Sequence, residues 1–145
     1  SPVSVAAYAG IPLTHRGISS AFTVVSGSEN SSKPESSLEW ETLGATLAST
    51  GSTLVVLMGW AEMEQITDAL CRGGMDINTP VALVQWGTWA KQRTITGSLG
   101  NIVARGRAGK QCKTQCISAV LIHYLERVDY VSQCFAHLSA LLVAD

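Results

Sequence analysis

Apolar residues in this chain fall into short blocks separated by small polar residues and glycines. The clearest block runs from Leu54 to Met58, five apolar residues between Ser52-Thr53 and Gly59-Trp60. It is too short to span a membrane and rich in β-branched side chains, which predicts a central strand buried on both faces. The carboxyl end of such a strand, here Met58 and Gly59, is where open α/β sheets bind ligands. Val81 to Gln85 repeats the pattern after Thr79-Pro80 and ends in Trp86-Gly87-Thr88 at a sharp turn. Gly87 there permits either a positive φ or the close approach of a ligand to the backbone. Ala21 to Gly27 is a shorter β-branched strand, and Lys91 to Leu99 alternates in the strand manner with Thr94 and Thr96 on one face.

Between these strands the apolar spacing lengthens to that of helices. Ser1 to Gly10 reads as a short helix of small residues ended by a glycine cap, followed by an extended turn at Ile11-Pro12. Residues 26–37 hold six serines with Asn, Gly and Pro and predict a surface loop. Ser36 and Glu39 form a capping box before a helix that aligns Trp40, Leu43 and Leu47 on one face. Ala61 to Cys71 aligns Met63, Ile66 and Leu70 and stops at Gly73-Gly74, and a later helix beginning near Leu99 carries Arg105 and Arg107. Ser118 to Val131 fits a strand or a helix, with strand favoured for Ala119 to Tyr124, and the tail from Ser132 to Ala144 is apolar enough to be helical. Strands alternating with helices through short glycine-containing links favour an α/β class.

The chain has 145 residues, 46% of them hydrophobic and 14% charged, enough for one domain with a true core and a low charge content for a free-standing surface. A net charge of −1 gives no general case for nucleic acid or membrane as a partner, but the charges are uneven. Residues 1–90 carry eight acids and three bases, whereas residues 91–113 carry Lys91, Arg93, Arg105, Arg107, Lys110 and Lys113 with no acid. That segment is either a solvated basic stretch or a local site for an anion. His15 and Arg16, held beyond the rigid Pro12, are placed to meet an anion as well. Four cysteines without a secretory leader point to a reducing cytoplasm, and Cys112 and Cys116 lack the second pair that a zinc site needs. No nucleophile elbow, phosphate-binding glycine loop or catalytic carboxylate pair is present. Chemistry that needs positioning and a dry pocket more than a protein nucleophile, such as methyl transfer from a sulfonium donor, remains open.

Several motifs recur in one order: Ala7-Tyr-Ala-Gly-Ile-Pro-Leu-Thr-His-Arg16, Phe22-Thr-Val-Val-Ser-Gly27, Leu54-Val-Val-Leu-Met-Gly59, Thr79-Pro-Val-Ala-Leu-Val84, Gln85-Trp-Gly-Thr88 and Lys91-Gln-Arg-Thr94. Together they closely resemble the second half of the uroporphyrinogen-III C-methyltransferases, within the tetrapyrrole methylases, from Ser1 to about Arg107. The resemblance implies the C-terminal mixed-sheet domain of a two-domain α/β enzyme over residues 1–109, with 1–10 a linking helix from a missing N-terminal domain. Residues 110–145 depart from the family pattern and are expected to be a divergent tail holding a last strand and a helix. The implied activity is S-adenosylmethionine-dependent methylation of uroporphyrinogen III at C2 and C7 to precorrin-2, in a cytoplasmic homodimer without a metal. Carried over residue by residue, the methyl donor is expected at Ser1, Met58 and Gly87, with Gly59 and Thr88 beside them, and substrate carboxylates at Arg16 and His15, with Arg93 a further candidate. With half of the cleft missing, activity of the chain alone is not expected, and a methylase of a later corrin precursor or a non-catalytic dimerisation module are the alternatives.

Overall fold

The computed structural model describes residues 1–28, 38–108 and 117–122. Helix α1 (Pro2–Tyr8) leads to strand β1 (Phe22–Ser26), followed by α2 (Trp40–Thr50), β2 (Thr53–Leu57), α3 (Met63–Arg72), β3 (Pro80–Gln85), β4 (Arg93–Ser98), α4 (Ile102–Ala108) and β5 (Ile117–Ile122). The strands form one sheet in the order β1-β2-β5-β3-β4. β1 and β2 pair in parallel, whereas β5 is antiparallel to both β2 and β3, and β3 is antiparallel to β4. The class is α/β with a mixed sheet.

Burial explains why these segments became strands. Thr53 to Val56 and Val81 to Gln85 are buried on both faces, as the continuous apolar runs require. Leu54, Val56, Val81, Leu83, Val120 and Ile122 point to one face, where Leu47, Met63, Ile66, Leu70 and Ile102 of the three later helices cover them. Val55, Ala82 and Val84 point to the other, under Val5 and Ala6 of α1 and Leu13. Each fully buried aliphatic side chain of this kind stabilises the fold by roughly 1.5–3 kcal/mol.

Helix α1 ends as its composition predicts. The Gly10 N–H donates to the Ala7 carbonyl and the Ile11 N–H to the Ala6 carbonyl, both at 3.0 Å, and Gly10 takes φ +70°. This is a Schellman closure, with glycine at the position that needs a left-handed backbone. The next helix starts later than the capping-box reading has it. α2 begins at Trp40 with Glu39 as its boundary residue and no side-chain cap. Glu39 therefore stands outside the first turn and not three residues into it; Ser36 lies outside the described residues, as does the segment 132–144 for which a helix is expected. The expected central strand β2 is interior, but the middle of the sheet is β5, formed from the segment whose periodicity fitted strand and helix alike.

Helices α2 and α3 cross closely because glycine permits it. A Cβ on Gly44 would stand 2.7 Å from the Leu70 carbonyl oxygen and 3.0 Å from the Leu70 Cα, backbone atoms that cannot swing away. On an exposed helix, glycine to alanine gains about 1 kcal/mol in propensity. Here the clash should outweigh it, and Gly44→Ala is expected to destabilise the fold by about 1–3 kcal/mol in urea unfolding.

Candidate functional site

β2 and β3 both run antiparallel to β5, so they run parallel to each other, and Val56 and Leu83 face the same residue, Val120. Their carboxyl ends therefore come out level at one edge of the sheet. They are not hydrogen-bonded neighbours, contrary to the simplest reading of two consecutive glycine-ended strands. β5 lies between them and sets the strand axes about 9.6 Å apart, two interstrand spacings.

Backbone strain gathers at this edge. Among the described residues the non-glycine positions with positive φ are Met58 (+55°), Trp86 (+52°) and Thr88 (+70°); the first two follow directly on the ends of β2 and β3, and Thr88 stands two residues beyond Trp86. Left-handed backbone costs a residue with a Cβ on the order of 1 kcal/mol, and such strain concentrates where a site over-determines the geometry. Met58 compounds that cost with exposure, since an apolar side chain 62% open to solvent gains little from the fold.

The glycines serve packing. Gly87 does not adopt a positive φ; a Cβ there would meet the Val5 side chain at 2.7–2.8 Å, so its bareness admits α1. Ser1, whose carbonyl accepts from the Val5 N–H at 3.1 Å, lies one helical turn before that contact. Gly59 is buried, and a Cβ on it would strike Val56 and approach the Gly27 Cα. Gly27, just past the end of β1, donates its N–H to the Leu57 carbonyl at 2.7 Å and brings the first parallel strand out at the same edge.

The cations expected at an anion are divided by the fold. Arg93 opens β4 opposite Gln85 and so stands at the Met58–Gly87 edge. His15 and Arg16 do not. They lie in a turn closed by the His15–Ser19 bridge, and the Ser19 hydroxyl meets the Thr53 hydroxyl at 3.2 Å, at the start of β2 and the opposite end of the sheet. Within the basic stretch, Arg107 is paired on the surface with Glu64 at 2.7 Å, and Lys110 and Lys113 lie outside the described residues. Two open grooves, of about 350 and 330 Å³, follow α3 and α4, and neither is lined by Met58, Gly87 or Thr88. Cys71 lines the first; burial, then the nearby Asp68 and Asp76, pushes its thiol up and keeps it protonated to higher pH than a free cysteine. Among the described residues no group of three His, Cys, Asp or Glu side chains gathers as a metal site, and Cys112 and Cys116 fall outside them.

Sequence reasoning missed the side chains of the β3–β4 turn. The Lys91 ammonium lies 3.5 Å from the centroid of the Trp86 ring and 5.4 Å from that of Trp89, and the two indoles stand 6.1 Å apart. Main-chain bonds from Trp89 N–H to the Trp86 carbonyl (3.0 Å) and from Gln92 N–H to the Trp89 carbonyl (2.8 Å) brace the turn, and the Thr88 N–H donates to the Gln92 side chain at 2.7 Å. The signal was a pair of tryptophans three residues apart with a lysine two residues beyond the second, which reads on its own as a polar loop.

Residues 1–103 match the family model described as Tetrapyrrole (Corrin/Porphyrin) Methylases. A uroporphyrinogen III methyltransferase of Methanosarcina barkeri is 43% identical over 104 residues, covering 72% of this chain and 39% of that protein. A uroporphyrinogen-III C-methyltransferase of Priestia megaterium is 43% identical over 103 residues, covering 71% of this chain and 41% of that one. Among solved structures, the uroporphyrin-III C-methyltransferase of Thermus thermophilus with S-adenosylhomocysteine superposes with a TM-score of 0.61 at 26% identity, over 91% of this chain and 51% of that one. A cobalt precorrin-4 methyltransferase superposes with a TM-score of 0.67 at 15% identity, over 84% of this chain and 47% of that one, a likeness of fold. The chain thus spans about two-fifths of the length of these two curated relatives.

Two substitutions separate strain from packing at this edge. Met58→Asn, which tolerates the left-handed backbone and loses little burial, is expected to leave stability unchanged or raise it by up to about 1 kcal/mol. Gly87→Ala should lower it by about 1–3 kcal/mol by pushing Val5 and α1 off the sheet. Urea midpoints of both variants against the parent chain check the pair.

Proposed function

This chain belongs to the tetrapyrrole methylases, and from that premise we propose that it forms the second half of a uroporphyrinogen-III C-methyltransferase, one side of a cleft completed by a further domain. The reaction is methylation of uroporphyrinogen III at C2 and C7 to precorrin-2, on the route to siroheme and cobalamin, by a cytoplasmic homodimer that needs no metal. The observation that supports it most is the shared strand edge where Met58, Trp86 and Thr88 all take left-handed backbone. When bound, S-adenosylmethionine supplies an electrophilic methyl on a sulfonium, which passes to an electron-rich pyrrole carbon as the sulfur becomes a thioether. Such a transfer asks the protein for orientation and a water-poor surface. The Met58 side chain provides an apolar wall, and the backbone of Gly59 and of the Gly87-Thr88 turn lines the donor beside it, with Ser1 reaching the same side from the start of α1. Arg93 is a cation at this edge of a kind that suits a substrate carboxylate. A part for His15 and Arg16 toward substrate would be exercised from the far end of β2.

Calorimetric titration of the 145-residue chain with S-adenosylhomocysteine tests the donor half-site. A micromolar Kd, near −8 kcal/mol, is expected, with loss of binding in Met58→Lys, which places an ammonium against the apolar wall. No binding by the parent chain up to millimolar ligand would sink the reading.

A further inference from the structure

The β3–β4 turn carries a feature that donor binding does not use. Lys91 is exposed and lies across two indoles, and among the described residues no carboxylate is within ion-pair distance of it. Trp89 is 63% exposed, a large aromatic face turned to solvent beside the tilted Trp86 ring. Resting an ammonium on an indole face holds the charge in place while leaving N–H donors directed outward. The three hydrogen bonds of the turn fix the backbone beneath it, so an anion arriving there meets a cation already ordered.

We propose that this turn is the docking subsite for the carboxylate arms of the tetrapyrrole, with Lys91 as the anion-binding residue and Trp89 as the platform against which the macrocycle edge lies. The inference rests on the methylase reading and adds a substrate subsite to it. Uroporphyrinogen carries an acetate and a propionate on each ring, so its periphery is anionic while its rings are apolar. The turn offers the complement of that mixture: Lys91 and, two residues on, Arg93 for the acids, and exposed indole for the ring. Its place is suitable too, since the turn leaves β3 at the edge where Met58 emerges from β2. A broad polyanion such as nucleic acid fits less well, because the chain as a whole has a net charge of −1.

Uroporphyrin III, the stable oxidised form with the same acid arms, serves as the probe, titrated into the 145-residue chain by quenching of tryptophan fluorescence alongside calorimetry with S-adenosylhomocysteine. Lys91→Gln is expected to weaken uroporphyrin about tenfold and to flatten its salt dependence, Lys91→Arg to stay within about threefold of the parent, and Trp89→Ala to weaken it about fivefold. None of the three should move S-adenosylhomocysteine affinity by more than about twofold or change the far-ultraviolet circular dichroism. A Lys91→Gln affinity equal to the parent's, equal loss in Lys91→Gln and Lys91→Arg, or failure of the parent chain to bind uroporphyrin would each overturn the proposal. Absence of S-adenosylhomocysteine binding beside a Lys91-dependent uroporphyrin affinity would instead overturn the donor half-site and leave this subsite standing.

Discussion

The insertion of β5 between β2 and β3 is the pairing on which the rest of this domain depends. Because Val56 and Leu83 both oppose Val120, one antiparallel strand fixes the direction, the level and the spacing of its two neighbours. Direction puts both carboxyl ends on the same side of the sheet. Level brings Met58 alongside the end of β3, and spacing opens between them a width that adjacent strands would lack. The irregular register between Val84 and Gln85, where β5 begins, falls at this same edge. Ladder irregularities of this kind are common where a sheet stops being a scaffold and starts presenting backbone.

The two faces of the sheet are covered in different ways. One carries large aliphatic side chains from three helices, with α2 and α3 drawn together at Gly44. The other is covered by the small residues of α1 and by Leu13, and the fit there relies on the bare backbone at Gly87. The thick face supplies most of the apolar burial and so tolerates a costly edge. Left-handed backbone at Met58, Trp86 and Thr88 persists because the strands leading into it are anchored in that core.

Much of the fold was legible because burial wrote it into short periods. Val81 to Gln85, the Met63-Ile66-Leu70 face and the glycine closure of α1 each follow from local pattern, and each is where the pattern put it. The position of β5 was not legible, since which strand lies between which others is decided by long-range pairing and leaves no period. The site divides along the same line. That Met58 and Gly87 mark strand ends is a local fact, but Gly87 answers to Val5, a residue far away in sequence, and nothing local distinguishes packing against a helix from packing against a ligand. Arg16 and Arg93 look alike as cations beside a motif, and only the sheet shows that they stand at opposite ends of it. Trp86 was readable as a turn residue and unreadable as the seat of Lys91, because that contact requires the hairpin to be closed.

The strand order also bears on how the chain comes to be folded. Of the five strands among the described residues, the one at the centre is made last by the ribosome. Until it arrives, β2 and β3 each offer an unpaired, strongly apolar border that any passing strand could occupy, and the loop that must close to seat it is long. High contact order of this sort slows assembly and lengthens the time spent vulnerable to misassociation. Residues 117–122 thereby act as a latch: the nascent sheet is two separate ribbons before they enter and one body afterwards, so truncations on either side of this segment should divide aggregating chains from soluble ones.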